Sequence, residues 1–301
     1  MTSRRQFLAR TAAMAALPAL PPTSPIDPIG RKSKSHLKLS IAAYSYRQLL
    51  DLSNPKMDMF AFADLAAEMG CDAIEPTSYW FPKGFDTAYL RKLRQHAFMN
   101  GLDISGTAIA NDFCVPPGPK LEEELAKVRV WIEHAAVLNA PVIRIFGGNA
   151  PKGASEKSVA EQVVKSIESV LPHAVAHGVT LALENHGGIT ETPEQLLRLV
   201  RAVKAPNGGF GVNLDTGNFH GDDPYADIAQ LAPYAVNVQV KTEVSRKGKP
   251  KEPAHLAKVI EILRGAHYSG YVVLEYEAEP EPLKAIPGIL REMRGLLNAP
   301  G

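Results

Sequence analysis

The sequence predicts a single (β/α)₈ barrel that begins near residue 37. Strand signals and helix signals alternate eight times from Leu37 to the C-terminus, which is the repeat of this architecture. Several predicted helices are followed directly by glycine, as helix ends commonly are. Four consecutive predicted strands lead into oxygen-bearing side chains, at the end of the strand where such barrels place their chemistry. Together these observations favour a barrel.

The predicted strands are short apolar runs, which is the pattern of parallel strands buried on both faces. The first four cover 39–44, 73–75, 104–108 and 142–146. The last four lie in the stretches 181–188, 211–217, 235–241 and 271–277, where an apolar run gives way to polar residues. Because parallel barrel strands all end at one mouth, these polar residues are expected to lie together.

The predicted helices lie between the strands, at 58–69, 86–100, 119–139, 155–177, 192–204, 225–231, 255–266 and 281–297. Gly70, Gly101 and Gly178 stand just past three helix ends, and Ser155 and Thr192 are placed as N-caps. A doubly wound open sheet is the alternative arrangement of the same elements. Its usual marker, Gly-x-Gly-x-x-Gly after the first strand, does not occur in the sequence, which favours the barrel.

Composition narrows the class of partner. The chain has 301 residues, of which 45% are hydrophobic, and its formal net charge is +1. This length fits one barrel, and a nearly neutral chain gives no electrostatic reason to expect a nucleic-acid partner. Cys71 and Cys114 are too few for a disulfide framework and have no Cys-x-x-Cys spacing. A homo-oligomer is left open by these numbers.

Residues 1–36 predict an export signal and a linker, and residues 37–301 the barrel. Arg4 and Arg5 precede Phe7-Leu8 and an Ala-rich run from Thr11 to Leu20. This resembles a twin-arginine signal, and the run falls short of the roughly 20 apolar residues that a membrane span needs. We therefore expect a periplasmic or otherwise exported protein with no stable membrane insertion. An ordinary amphipathic start is the alternative.

Four strand-end side chains form the candidate site. Glu184, Asp215, Gln239 and Glu275 follow the last four predicted strands and should face one another at the mouth. Carboxylates at such short distances raise one another's pKa unless a cation is present. An oxygen-only ligand set favours one hard divalent ion, Mn²⁺ or Mg²⁺, over zinc. The alternative is a mouth of solvated acids that pair with Arg144 and Lys241.

These motifs resemble the xylose isomerase-like TIM-barrel family, the sugar isomerase and epimerase group that includes the ketose 3-epimerases. The motifs are Leu-Glu-Asn-His at 183–186, Leu-Asp-Thr-Gly at 214–217, a polar residue two before a lysine at 239–241, and Leu-Glu at 274–275. The resemblance implies a divalent metal held by Glu184, Asp215, Gln239 and Glu275. It also implies that Glu184 and Glu275 flank the reacting carbon of a sugar as acid and base.

The sequence departs from the family pattern at two positions. Residue 239 is glutamine where the family more often has histidine, and a glutamine carbonyl is a weaker ligand without a titratable nitrogen. Asn218 stands where relatives often carry histidine, and His220 is a candidate to replace it. Both departures bear on which metal is bound.

The resemblance implies a sugar isomerase or epimerase, with a small-molecule carbohydrate as its partner, that transfers a proton next to a carbonyl through an enediolate. If a leaving group lies β to the carbonyl, the same enolate can eliminate it, and the enzyme is then a lyase that acts on 3-keto glycosides. Export favours this alternative because glycosides are met outside the cell. A phosphodiesterase of the AP endonuclease branch would need a histidine-rich zinc site, but only His186 and His220 lie near the ligand set. A non-catalytic sugar-binding barrel is the non-enzyme alternative, and it would not need two flanking glutamates.

Five further side chains near the expected mouth are candidates to bind a sugar: His186, Lys241, His220, Glu75 and Asn218. Structural roles are the alternatives. His186 would then be a core histidine, Lys241 the counter-charge of the acids, and Glu75 the ion-pair partner of Arg144.

Export should depend on the paired arginines. Changing Arg4 and Arg5 together to lysine should block transport by the twin-arginine route, because that route reads the arginine pair. Fractionation of cells that produce the two forms, with an epitope tag at the C-terminus, measures this. Normal periplasmic accumulation of the double variant would contradict the signal assignment.

Overall fold

Parallel strands curl into a nearly closed barrel that is surrounded by α-helices. The structure is a computed structural model, and it describes residues 26–279 and 281–299. Within these residues one nine-stranded parallel sheet and eight α-helices form the barrel. The predicted (β/α)₈ fold is confirmed. The Arg4-Arg5 motif and the apolar run of the predicted signal lie outside the described residues.

The strands follow the predicted order along the chain. They are β1 (Leu37–Ala42), β2 (Ala73–Glu75), β3 (Asp103–Ile104), β4 (Thr107–Ala108), β5 (Val142–Ile145), β6 (Thr180–Glu184), β7 (Phe210–Asp215), β8 (Ala235–Val240), β9 (Glu243–Val244), β10 (Glu252–Pro253) and β11 (Gly270–Leu274). The barrel order is β3-β2-β1-β11-β8-β7-β6-β5-β4. All of its pairs are parallel, so every strand ends at the same mouth.

The helices alternate with the strands around the outside. They are α1 (Met59–Glu68), α2 (Thr87–Met99), α3 (Pro119–Leu138), α4 (Glu156–Ala176), α5 (Pro193–Ala202), α6 (Pro224–Leu231), α7 (Leu256–Gly265) and α8 (Pro282–Asn298). Side chains just before several of the helices hydrogen-bond to their first backbone amides and so fix where these helices begin. Asp58 accepts hydrogen bonds from the first amides of α1, and Thr192 with Gln195 forms a capping box on α5.

The barrel closes through its third strand, which is interrupted. The predicted strand 104–108 is split into β3, which pairs with β2, and β4, which pairs with β5. Gly106 lies in the interruption, where a Cβ atom would stand only 2.6 Å from Val142 Cγ1. The close approach of the neighbouring strand therefore requires glycine at this position.

The structure differs from the sequence prediction in two short segments. The first strand ends at Ala42, and Ala43–Tyr46 form a 3₁₀ turn instead of continuing the strand. The basic loop at 245–251 is framed by a small antiparallel hairpin of β9 and β10, which the sequence did not indicate.

Part of the predicted linker lies against the barrel. Arg31 Nη2 donates to Ala235 O at 2.6 Å, and its guanidinium lies 5.2 Å from the centre of the Tyr268 ring. His36 O accepts a hydrogen bond from Gly270 N. These contacts attach the segment before β1 to the end of the barrel opposite the mouth.

In the described ranges, none of the helices combines the length and apolar character that a membrane crossing requires.

The two cysteines lie in the interior of the protein. Cys71 and Cys114 are both buried and free. Burial raises the pKa of each thiol to about 12, which fits structural core residues better than nucleophiles.

The tight packing at Gly106 predicts a local sensitivity to added volume. Gly106→Ala should lower the free energy of unfolding by about 1–3 kcal/mol, because the new methyl group overpacks against Val142. Gly265→Ala is the control, since a Cβ at that helical position has no neighbour within 4 Å. Urea denaturation of both variants measures this, and equal stability of the two would contradict the packing explanation.

Candidate active site

The predicted site residues meet at the mouth of the barrel. Glu184 is the last residue of β6, Asp215 is the last residue of β7, and Glu275 directly follows β11. Gln239 lies in β8 and pairs in register with Asp215. All four side chains are buried. The parallel register brings them to one place, although they are widely spaced in the sequence.

Lys241 lies in the middle of the acids. Its Nζ is 3.2 Å from Asp215 Oδ2, 3.0 Å from Glu275 Oε2 and 2.9 Å from Glu277 Oε2. We call Glu184, Asp215, Glu275 and Glu277 the acid cluster. The Lys241 side chain is only 9% exposed, so its charge is poorly solvated and depends on these carboxylates.

Glu184 is held by a second buried cation and by an amide. Arg144 Nε lies 2.9 Å from Glu184 Oε2, and both side chains are less than 5% exposed. Asn218 Nδ2 donates to Glu184 Oε1 at 3.0 Å. Arg144 is itself fixed, because its Nη1 donates to Ile109 O at 2.8 Å and its guanidinium lies 3.9 Å from the centre of the Phe146 ring. Glu184 therefore has a defined position.

A polar layer, formed by Glu75, Asn213, Asn237 and Gln239, lies beside the acid cluster inside the barrel. Gln239 Nε2 donates to Glu75 Oε1 at 2.6 Å, and Asn237 Nδ2 donates to Glu75 Oε2 at 2.7 Å. Asn213 Nδ2 donates to Gln239 Oε1 at 2.7 Å and to Glu184 Oε2 at 3.3 Å. The hydrogen bonds connect Glu75 to Glu184 through amides. Barrel interiors are more often filled by branched apolar side chains.

The two glutamates expected to act as acid and base differ in their surroundings. Burial raises the pKa of Glu184 well above its usual value, and the Arg144 guanidinium offsets only part of this. Burial also acts on Glu275, but the positive charges of Lys241 and Arg144 outweigh it and lower the pKa of Glu275. Burial raises the pKa of Asp215 to about 7. Neighbouring carboxyl groups with opposite shifts are a common arrangement at acid–base sites.

The candidate sugar-binding residues are divided between the interior and the surface. Lys241 and Glu75 are buried, in the acid cluster and the polar layer respectively. Asn218 is half-buried against Glu184. His186 is exposed, with its ring centre 4.2 Å from that of Phe146, and His220 is also exposed. The interpretation of Glu75 as a direct ion-pair partner of Arg144 does not match the structure, in which amides hold both of its oxygens.

The cleft next to Lys241 is small. A cleft of about 150 Å³ is lined by Gly217, Asn218, His220, Lys241 and Glu277. A larger cavity of about 720 Å³ lies at the opposite end of the barrel, where β3 and β11 begin. We assign the site to the smaller cleft because the buried ionisable groups converge there, and such groups mark functional sites better than cavity volume does.

The contacts of the donor set bear on the expected divalent ion in two opposite ways. In favour of the ion, Asp215 Oδ2 is buried and has no hydrogen-bond partner within the described part of the chain. Against the ion, the Lys241 ammonium lies against Asp215 and Glu275, and the oxygen and the nitrogen of the Gln239 amide are both bonded within the polar layer. No group of three or more Asp, Glu, His or Cys side chains within 26–279 and 281–299 is arranged to hold a metal. The residues in this arrangement do not fit the ion.

Several residues of the site were not found from the sequence. Asn213, Asn237 and Glu277 each stand two residues from a predicted site residue on the same strand or its extension. Side chains two apart on a strand share a face, so this period was the signal that could have found them. Tyr79 gave no such signal, although its hydroxyl accepts from Arg144 at 3.3 Å.

The fold and the acid-lined mouth define a barrel of the kind that houses enzymes at its strand ends. The chain belongs to the Xylose isomerase-like TIM barrel family, which matches residues 63–296. Members of this family typically bind a divalent metal. No curated protein matches the chain at a significant level.

Solved structures with the same fold have low sequence identity to this chain. D-psicose 3-epimerase with D-tagatose from Clostridium cellulolyticum H10 has a TM-score of 0.69 at 17% identity, covering 87% of this chain and 100% of that one. The 3-keto-D-glucoside 4-epimerase from E. coli has a TM-score of 0.64 at 15% identity, covering 87% and 100%. A xylose isomerase-like protein from Mycobacterium smegmatis in complex with magnesium has a TM-score of 0.65 at 16% identity, covering 86% and 96%.

The contact between Arg144 and Glu184 predicts strong coupling. Arg144→Met should lower the free energy of unfolding by about 3–5 kcal/mol, because it leaves Glu184 buried without its cation. In a Glu184→Gln background the same change should cost less, by about 1 kcal/mol or more. Urea denaturation of the two single variants and the double variant measures the difference. Strictly additive effects would contradict a direct interaction.

Proposed function

We propose that this chain is a sugar isomerase or epimerase that moves a proton at a carbon next to a carbonyl group. The observation that carries the proposal is the pair of buried glutamates, Glu184 at the end of β6 and Glu275 just after β11, with a cation beside each. Membership of the xylose isomerase-like family supports it, and so do the epimerase names of two structural neighbours.

Glu275 is the proposed base. Lys241 lies 3.0 Å from it and lowers its pKa, so it is a carboxylate at neutral pH and can accept a proton from the substrate carbon. Glu184, whose pKa is raised by burial, is the proposed acid that returns a proton. Delivery on the opposite face of the carbon inverts it. Delivery to the adjacent carbon, with transfer of the hydroxyl proton to the former carbonyl oxygen, isomerises the sugar.

The buried cations have a second role in this mechanism. When a proton leaves the carbon, negative charge develops on the neighbouring carbonyl oxygen, and fixed positive groups stabilise it most when water is excluded. Lys241 and Arg144 are held at the mouth by the contacts described above. His186, His220 and Asn218 are the proposed contacts of the sugar hydroxyls. Because the donor set does not fit Mn²⁺ or Mg²⁺, no step is assigned to an ion.

A lyase that acts on 3-keto glycosides is the second candidate. The structural similarity to a 3-keto-D-glucoside 4-epimerase favours a keto-glycoside as substrate. The same base would remove the proton, and the electron pair would then expel a leaving group β to the carbonyl instead of being protonated again. The twin-arginine-like start supports a periplasmic or exported location, where glycosides are met. Oligomeric state is left open.

The acid–base assignment predicts a specific loss in one variant. Glu275→Gln should reduce turnover by about 10²–10⁴-fold while substrate binding persists, because the amide keeps the shape and loses the base. Product formation from ketoses and from a 3-keto glucoside is followed by NMR in D₂O. The control is Glu279→Gln, since Glu279 is exposed outside the acid cluster.

Epimerisation and isomerisation should leave solvent deuterium at the carbon next to the carbonyl of the product, and reversible elimination should leave it there in the recovered substrate. The structure of the product distinguishes the three outcomes. Full activity of Glu275→Gln on a substrate that the wild type turns over would show that the base assignment is wrong.

A further inference from the structure

The position of Lys241 explains why the donor set does not fit a divalent ion. Its ammonium group contacts three carboxylates, those of Asp215, Glu275 and Glu277, at 2.9–3.2 Å. We propose that this ammonium group is the resident cation of the acid cluster and that the chain needs no divalent metal ion there. Lys241 Nζ donates a hydrogen bond to Glu275 Oε2, and its contact with Asp215 Oδ2 is an ion pair without a hydrogen bond.

The lysine is built into the fold at this position. Lys241 N donates to Thr216 Oγ1 at 3.0 Å, which anchors its backbone to the turn after β7. Gly217 leaves room for its side chain, because a Cβ at 217 would stand 2.7 Å from Lys241 Cβ and 2.8 Å from its Cγ. The aliphatic part of the side chain is thus packed, and only the ammonium end reaches the acids.

The charges reinforce this position. The Lys241 side chain is only 9% exposed, and its ammonium group faces the carboxylates of Asp215, Glu275 and Glu277 at contact distance. Opposite charges therefore surround it where water is largely excluded. Removing it would leave several carboxylates buried together without compensation, which is strongly unfavourable.

The remaining predicted ligands are also engaged. Glu184 is balanced by Arg144 and accepts from Asn218. Gln239 donates to Glu75 and accepts from Asn213, so its carbonyl oxygen already has a hydrogen-bond partner. An entering ion would have to displace the lysine and break the hydrogen bonds of Gln239 to complete its ligand set.

The two departures from the family pattern, at 239 and 218, also disfavour a metal ion at the acid cluster. A histidine at 239 would offer a ring nitrogen, the commonest metal ligand in proteins, whereas this chain has an amide bonded elsewhere. Asn218 likewise has a side-chain amide in place of an imidazole, and this amide donates to Glu184. This inference concerns cation binding, so it stands whether or not the chain is an isomerase or epimerase.

Manganese binding tests the proposal directly. The full chain is treated with chelator, freed of it and titrated with Mn²⁺ near neutral pH, and the paramagnetic resonance signal of free Mn²⁺ is recorded. We expect no stoichiometric binding by the wild type. Lys241→Met removes the ammonium but keeps a side chain of similar length, so it should bind Mn²⁺ about tenfold more tightly or better. The double variant with Lys241→Met and Asp215→Asn should lose that gain in Mn²⁺ affinity.

Lys247→Met is the matched control, since Lys247 is exposed in the loop that follows β9. It should behave like the wild type. Stoichiometric Mn²⁺ binding by the wild type that is lost in Asp215→Asn would overturn the proposal. A folded Lys241→Met variant that binds Mn²⁺ no better than the wild type would overturn it as well. If Lys241→Met does not fold, the wild-type titration decides alone.

Discussion

The structure depends on compensating the charge of several carboxylates that are buried together at the barrel mouth. Isolated carboxylates in such surroundings would be strongly destabilising, so each needs a cation, a hydrogen-bond donor or a proton. Lys241 contacts three members of the acid cluster, and Arg144 contacts Glu184. Gly217 leaves the space that the lysine side chain occupies. The site is therefore a balanced set of charges, and changing one member alters the others.

The polar layer extends this balance into the barrel. Burial raises the pKa of Glu75 to about 7, although Asn237 and Gln239 both donate to it. Through Asn213 the same layer reaches Glu184. Gln239 is thereby held in place by groups whose connection no local sequence pattern indicates. A hydrogen-bonded layer of this kind holds Glu184 in position, as the preorganised site of our proposal requires.

The fold was predictable because its signals are local and repeated. Apolar runs of strand length, glycines after helices and N-caps such as Thr192 act within a few residues, and their eightfold alternation indicates a barrel. The mouth was predictable for the same reason, since Glu184, Asp215 and Glu275 all follow a strand. The interruption at Gly106 depends on how closely Val142 approaches from the next strand, and this is a tertiary contact that no local pattern records.

The cation of the site could not be decided from the sequence. A set of acids at a barrel mouth is compatible with a metal ion or with basic side chains, because both supply positive charge. The choice depends on where the Lys241 side chain points and on which groups form hydrogen bonds with the Gln239 amide. Those groups are Glu75 and Asn213. Both are fixed by packing between strands far apart in the chain. The family resemblance favoured the metal because it carries over residue types and not side-chain directions.

The most direct test of the central claim is a crystal structure of the chain grown with Mn²⁺, with the anomalous scattering of manganese recorded. We predict that Lys241 Nζ lies within hydrogen-bonding distance of Asp215, Glu275 and Glu277 and that no anomalous peak occurs among them. A manganese peak coordinated by Asp215 and Glu275, with the Lys241 side chain turned away, would contradict this.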